Sequence, residues 1–266
     1  MPLIKCNLHT HTQFCDGRDS MENMVKTAIE KGFETLGFSP HSYTPFCLDY
    51  CIKDFDAEAA EFLRLKNLYA DKICLLNGIE LDYYGEMPKD AKLDFVIGSA
   101  HYVQNNGVFY GVDDGREDFL RAVELGFDGN VISLAESYFS TLAKMAKTVR
   151  PDVIGHFDLI TLYGDFSACE SKYKDSAFCA AEEVAKSGSL VEINAGRLFK
   201  GKGGLYPDDF LLKYMAQKGI EFILSSDAHC VDALGFKFDE ITQKLKSLGI
   251  KYLTVFDKNG RKHIKI

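Results

Sequence analysis

The sequence has no surplus of basic residues, no long apolar run and no CxxC pair. Thirty-one Lys and Arg stand against 39 Asp and Glu, a formal net charge of −8. Nonspecific nucleic-acid binding needs a basic surface that displaces counterions, so no nucleic-acid partner is expected. A small anionic substrate stays open, because local cations or metals can invert the field inside a pocket. No segment is apolar over the ~20 residues that a bilayer requires. The opening MPLIKCNLHTHT also lacks the apolar stretch of a secretory signal. No membrane partner is therefore expected, and the expected location is cytoplasmic. The eight cysteines are expected to be reduced. Cys47 and Cys51 have the spacing of one helix face, but nothing nearby completes a zinc set, so they read as packing residues. Low-complexity tracts, fixed-period repeats and Pro/Ser-rich linkers are missing too, and residues 1–266 are expected to form one domain. Neither a Walker-type GxxxxGK(S/T) loop nor a GxSxG elbow occurs, which argues against an NTPase and a serine hydrolase.

What is present is an alternation. Short apolar runs occur at Leu3–Leu8, Thr35–Phe38, Ile73–Ile79, Phe95–Ser99, Val153–Gly155, Leu190–Ile193 and Phe222–Ser225. They are near-continuous rather than alternating, as strands buried on both faces are. Amphipathic stretches lie between them. Ser20 is placed to cap a helix running to Lys31, with Gly32 ending it and Met21, Met24, Val25, Ala28 and Ile29 on one face. Segments 56–70, 175–187, 207–218 and 233–248 read likewise, and 116–149 reads as helix in two pieces. Seven strands alternating with helices predict an α/β fold with a parallel sheet, closed or open. The tail departs from this rhythm: residues 251–256 and 262–266 flank Asn259-Gly260, which predicts a terminal hairpin with no catalytic role.

The histidines follow the strands. His9 and His11 come after the first, His41 after the second, Glu80 ends the third, His101 follows the fourth, His156 the fifth, and Asp227 and His229 the seventh. Carboxyl ends of parallel strands share one side of the fold, where active sites form. One histidine in such a place binds metal in roughly one case in five and is otherwise a hydrogen-bonded structural residue. Six of seven in equivalent places is not explained that way; His263, in the tail, is read as structural. With Asp16, Glu80 and Asp227 there are nine candidate ligands, too many for one ion. If Glu80 bridges, the set suits two or three divalent metals, and imidazole with carboxylate fits Zn, Mn or Fe.

Adjacent cations can share a hydroxide and steady both the attacking and the leaving oxygen, which suits phosphate esters. Arg197, just past the sixth strand, should face the same end and grip phosphate with its two-pronged guanidinium. Lys200 adds cation density there or, like Lys202, lies on a solvated basic loop. Cys15 and Cys230 read as neighbours of the site rather than nucleophiles.

The motifs LHTHTQFCDG, PH at 40–41, GIE at 78–80, GSAH at 98–101, GHFD at 155–158 and SSDAH at 225–229 resemble the PHP (polymerase and histidinol phosphatase) superfamily. FETLGFSPHSYTPF and the EIN segment before Arg197 look most like its stand-alone histidinol-phosphate phosphatases. The resemblance implies a distorted (β/α)7 TIM-like barrel and a trinuclear site. His9, His11, Glu80 and Asp227 would hold one metal, Glu80, His101 and His156 a second, and Asp16, His41 and His229 a third. It also implies hydrolysis of a small phosphomonoester, L-histidinol phosphate, by a bridging hydroxide, with Arg197 on the phosphate. Asp227 and His229 would be nearest to supply the leaving-group proton. Many relatives carry a basic residue after GHxDL, where Ile160, Thr161 and Leu162 stand here, so Lys200 or a main-chain donor would substitute. Glu136 and Asp113 are candidate partners for the substrate amine. The alternatives are a phosphoesterase of another small phosphate or nucleotide, an amidohydrolase, and a non-catalytic module.

Overall fold

The computed structural model describes residues 4–266. In chain order the main elements are β1 (Cys6–Asn7), α1 (Met21–Glu30), β2 (Thr35–Phe38), α2 (Phe55–Leu68), β3 (Cys74–Asp82), β4 (Phe95–Ser99), β5 (Tyr102–Asn105), β6 (Val108–Gly111), α3 (Arg116–Arg121) and α4 (Val131–Lys144). Then follow β7 (Val153–Ile154), α5 (Glu170–Ser187), β8 (Leu190–Asn194), α6 (Gly196–Phe199), α7 (Asp209–Gln217), β9 (Phe222–Ser225), α8 (Phe238–Ser247), β10 (Tyr252–Asp257) and β11 (Gly260–Lys265).

Seven strands form one parallel sheet in the order β1-β2-β3-β4-β7-β8-β9. Its two ends meet just beyond the strands, where Thr10 bridges Ala228. The His11 amide donates to the Ala228 carbonyl (2.9 Å) and the Ala228 amide to the His9 carbonyl (3.1 Å). This is the expected distorted barrel, nearly closed. Its strands read as continuous apolar runs because both faces are covered: β2, β8 and β9 are buried at every position.

The expected strands appear with small changes of boundary. The first run shrinks to β1, and Leu3 lies outside the described residues. α1 begins as expected, with the Ser20 side chain accepting from the Asn23 amide, and buries Met21, Met24, Val25 and Ala28. Burying Met21, Met24 and Val25 contributes roughly 1.5–3 kcal/mol each. The expected helix 233–248 starts late, at Phe238, because Gly235 (φ 68°) and Lys237 (φ 54°) turn the chain left-handed first. The two pieces of 116–149 separate at Asp128 (φ 51°) and Gly129 (φ 74°).

Three features differ from the sequence reading. An antiparallel hairpin, β5–β6, is inserted between β4 and its barrel neighbour β7. Its two-residue turn, Asn106-Gly107, has φ of 49° and 81°, the left-handed pair that twists a hairpin correctly. The terminal hairpin pairs Asp257 with Gly260, so its turn is Lys258-Asn259 and Gly260 opens β11. Cys47 and Cys51 sit in a loop, where the Cys51 thiol donates to the Cys47 carbonyl (3.1 Å). All eight cysteines are unpaired. Among the described residues no helix is long and apolar enough to cross a membrane.

Candidate metal centre

The nine candidate ligands converge on the carboxyl-end mouth of the barrel. Glu80, on β3, is the hub. Its Oε2 lies 3.2 Å from His9 Nε2, 3.5 Å from His11 Nε2 and 2.9 Å from His41 Nδ1. Its Oε1 lies 2.8 Å from His156 Nε2 and 3.3 Å from His101 Nε2, and accepts from the Ser99 hydroxyl at 2.7 Å. Asp227 Oδ1 is 3.4 Å from His9 Nε2 and 3.3 Å from His11 Nε2. Asp16 Oδ2 is 3.1 Å from His229 Nε2 and 3.7 Å from His41 Nε2.

Local structure explains these positions. The Asp16 loop is tied by the Gly17 amide to the Thr12 carbonyl (3.1 Å) and by the Arg18 amide to the His229 carbonyl (2.8 Å). A Cβ at Gly17 would overlap the Thr12 backbone. Asp227 and His229 share the site, but not through extended alternation: Asp227 is left-handed (φ 51°), a strained non-glycine conformation of the kind found at functional sites.

Four sets of ligand atoms lie within 4.8 Å of one another: His11, Asp16, His41 and His229; His9, His11 and Glu80; His9, His156 and Asp227; and His41, Glu80 and His101. His9 Nε2, His11 Nε2 and Glu80 Oε2 are buried without a hydrogen-bond partner. Buried polar atoms normally find partners, and a divalent cation is one. The donor set thus fits metal, with imidazole and carboxylate suiting Zn, Mn or Fe.

The electrostatics agree. Burial disfavours charge on Glu80, yet His9, His41 and His101 hold its carboxyl well below the ordinary range. Burial likewise disfavours charge on Asp227, yet His9, His11 and His229 hold its carboxyl well below the ordinary range. Burial would lower His41, but Glu80 and Asp16 raise it to about 9. His11, buried and beside His229 and His41, falls to about 3 and so offers a neutral imidazole. Without metal, the cluster keeps its carboxylates charged by storing protons on some of its histidines.

Sequence reading missed the residues behind the ligands. Glu192, fully buried on β8, accepts from or donates to His9 Nδ1 at 2.6 Å. It also accepts from the His156 amide (2.9 Å) and the Asn194 side chain (2.9 Å). Asp82 faces His101 Nδ1 at 3.4 Å and accepts from the His101 amide at 2.9 Å. Carboxylates in this position fix the tautomer and orientation of a metal-binding imidazole. The only sequence signal was an acid inside an otherwise apolar strand.

The other expectations divide. Arg197 and Lys200 line the metal cavity, as do Asp113 and Asp114. Arg197 is held by the Thr161 hydroxyl (Nη1 to Oγ1, 2.9 Å) and faces Asp208 at 3.8 Å. Thr161 therefore serves as a brace for that guanidinium. Glu136 is a correction: it is exposed on α4, between the buried Ala135 and Tyr138, and does not line the cavity. Lys202 is exposed and also outside the lining. Cys15 is buried against His11 Nδ1 at 3.6 Å, and burial with Asp16 beside it pushes the thiol up to about 12, too high for a nucleophile. His263 pairs with Glu221 (3.4 Å) in the terminal hairpin, away from the site.

A parallel barrel whose strand ends gather six imidazoles and three carboxylates defines a metal-binding α/β-barrel protein. The chain belongs to the PHP domain family, whose profile matches residues 7–196. It is 29% identical to a probable histidinol-phosphatase of Schizosaccharomyces pombe, covering 94% of this chain and 89% of that one. The histidinol-phosphatase of Bacillus subtilis is 24% identical, over 89% of this chain and 97% of its own. The histidinol phosphate phosphatase of Lactococcus lactis, solved with zinc, L-histidinol and phosphate, superposes with a TM-score of 0.72. That match has 20% identity, covers 97% of this chain and 99% of that chain, and shows the fold to be shared.

Proposed function

We infer that this chain is a metal-dependent phosphomonoesterase that hydrolyses L-histidinol phosphate to L-histidinol and phosphate, a step of histidine biosynthesis. The observation that carries it is the convergence of the nine-ligand cluster and Arg197 in one cavity. The names of the full-length relatives from fission yeast and Bacillus subtilis support the substrate.

By motif, His9, His11, Glu80 and Asp227 would hold one divalent ion, Glu80, His101 and His156 a second, and Asp16, His41 and His229 a third. Such ions supply charge neutralisation at phosphate and lower the pKa of water toward about 7. The protein's own residues do the rest. Glu192 keeps the His9 ring in register, and Asp82 holds the His101 backbone amide. Arg197, whose Nη1 and Nη2 donate to the Thr161 hydroxyl (2.9 Å) and carbonyl (3.4 Å), keeps a buried, unpartnered Nε to offer a phosphate oxygen, and Lys200 adds charge at the same wall. His229 is the most exposed of the six imidazoles, with 28% of its side chain accessible. That exposure suits it to supply a proton to the leaving alcohol, whereas Asp227, expected to share that role, is held charged and has no proton to give. The net charge of −8 disfavours a polynucleotide substrate. A hydrophobic core running from Ile4 to Phe256 supports reading 1–266 as one domain, and eight free thiols suit the reducing cytoplasm.

The test is phosphate release by metal-loaded protein from L-histidinol phosphate, p-nitrophenyl phosphate and nucleoside monophosphates. A clear kcat/KM preference for the first is expected. Equal rates, or activity on nucleotides alone, would reject the substrate while keeping the phosphoesterase.

A further inference from the structure

The metal cavity has walls of opposite charge. Arg197 and Lys200, from α6 and its end, contribute cations. Asp113 and Asp114, immediately after β6, contribute acids to the same space. The two acids are not equivalent. Asp114 accepts from the Tyr102 hydroxyl at 3.2 Å. The Asp113 side chain has no hydrogen-bond or ion-pair partner among the described residues, and its Oδ1 is buried. Nor does Asp113 belong to any of the ligand sets close enough to share a metal.

A buried, unpartnered carboxylate oxygen costs about 1–3 kcal/mol or more unless something satisfies it. Metals and Arg197 claim the anionic end of a bound phosphomonoester, leaving Asp113 to meet the alcohol half. We propose that Asp113 is the specificity-determining residue of this enzyme, pairing with an ammonium group on the leaving alcohol, so that the cavity selects phosphomonoesters of amino alcohols. Tyr50, which lines the cavity beside His41, adds an aromatic face to the same space, favourable to a cation. The selecting element is the inserted β5–β6 segment rather than the barrel, so the metals and the selector come from separate parts of the chain.

The proposal deepens the phosphatase reading and rests on it for the reaction, though not for the identity of the amino alcohol. It is tested with two matched pairs: L-histidinol phosphate against its analogue lacking the amine, and O-phosphoethanolamine against ethyl phosphate. The readout is the kcat/KM ratio within each pair for metal-loaded wild type and Asp113→Asn, with metal content and melting temperature measured on both. Wild type should favour the amine, and the variant should lose at least about tenfold of that ratio, as expected for removal of a buried charge pair. Asp113→Glu should recover part of it. A ratio unchanged in the variant, or both members of a pair falling together, overturns the proposal and leaves the histidinol phosphate assignment standing. Failure on L-histidinol phosphate, with an amine preference that Asp113→Asn erases in the second pair, would reject the assignment and keep the proposal.

Discussion

On the strand rim, the acids and imidazoles hold one another. Glu80 faces five imidazoles and a serine, and Glu192 touches His9, the His156 amide and the Asn194 side chain. On the inserted segment after β6, Asp113 faces the same cavity with no hydrogen-bond or ion-pair partner among the described residues. The rim is drawn from strands far apart in the chain and is over-determined. The insertion is one hairpin and its exit, outside the barrel ladder but anchored in the core by Val103 and Val112. A reaction centre and a substrate selector can thus share a cavity while being built on different elements.

The largest way to sharpen that contrast is Glu80→Gln. It should lower turnover of every phosphomonoester by about a thousandfold or more, since it removes several kcal/mol of charge stabilisation. Phosphate release and metal content by atomic absorption should fall together. Next is Glu192→Gln, which leaves the ligands intact but loosens His9; a loss of about 10–100-fold in metal affinity or activity is expected. Asp113→Asn comes third, with about a tenfold change confined to the preference for amine-bearing substrates. If Asp113→Asn also lowered metal content, the separation of the two regions would be broken.

A pH series tests the rim without mutation. His41 is raised to about 9 in the metal-free protein, so its protonated form stabilises the fold below the ordinary value near 6.5. That contribution is lost as pH rises through about 9. Chelated protein should therefore lose melting temperature over this interval while metal affinity improves, because a metal must displace the proton.

The smallest effect lies outside both regions. Glu58, buried on α2 with neither oxygen partnered, is pushed up to about 7 by burial alone. An acid raised on folding costs stability as pH climbs from about 4.5 to 7. Glu58→Gln should then raise the melting temperature by a few degrees at pH 8, on the order of 1–3 kcal/mol, and by almost nothing near pH 4.5.

How much of this is legible in the sequence depends on what each feature rests on. Strands buried on both faces leave apolar runs, and a ligand just past most of them leaves a histidine, so Thr35–Phe38, Phe95–Ser99 and Phe222–Ser225 can be read directly. The β5–β6 hairpin escapes such a reading although Asn106-Gly107 is a strong turn pair. Its two strands are short and partly exposed, without the fully buried apolar run of a barrel strand. Glu192 and Asp82 cannot be recognised as supports, since their partners lie on other strands. Glu136 misleads because acidity says nothing of helix phase, and α4 buries Ile132, Ala135 and Phe139 around it while turning Glu136 outward.

The barrel closes at a seam where two backbone hydrogen bonds join His9 and His11 to Ala228 and Asn7 Oδ1 accepts from the Ser226 amide (2.7 Å) and hydroxyl (2.9 Å). The ligands flank that seam: His9 and His11 on one side, Asp227 and His229 on the other. An ion held between them would act as a hoop around the staves, tethering the first and last strands of the ring across roughly 200 residues of chain. Cross-links that close loops of this length restrict the chain by about 5 kcal/mol in simple polymer estimates. Loss of such an ion would therefore loosen this closure, and the amide protons of His11 and Ala228 should exchange with solvent faster than in the metal-loaded protein.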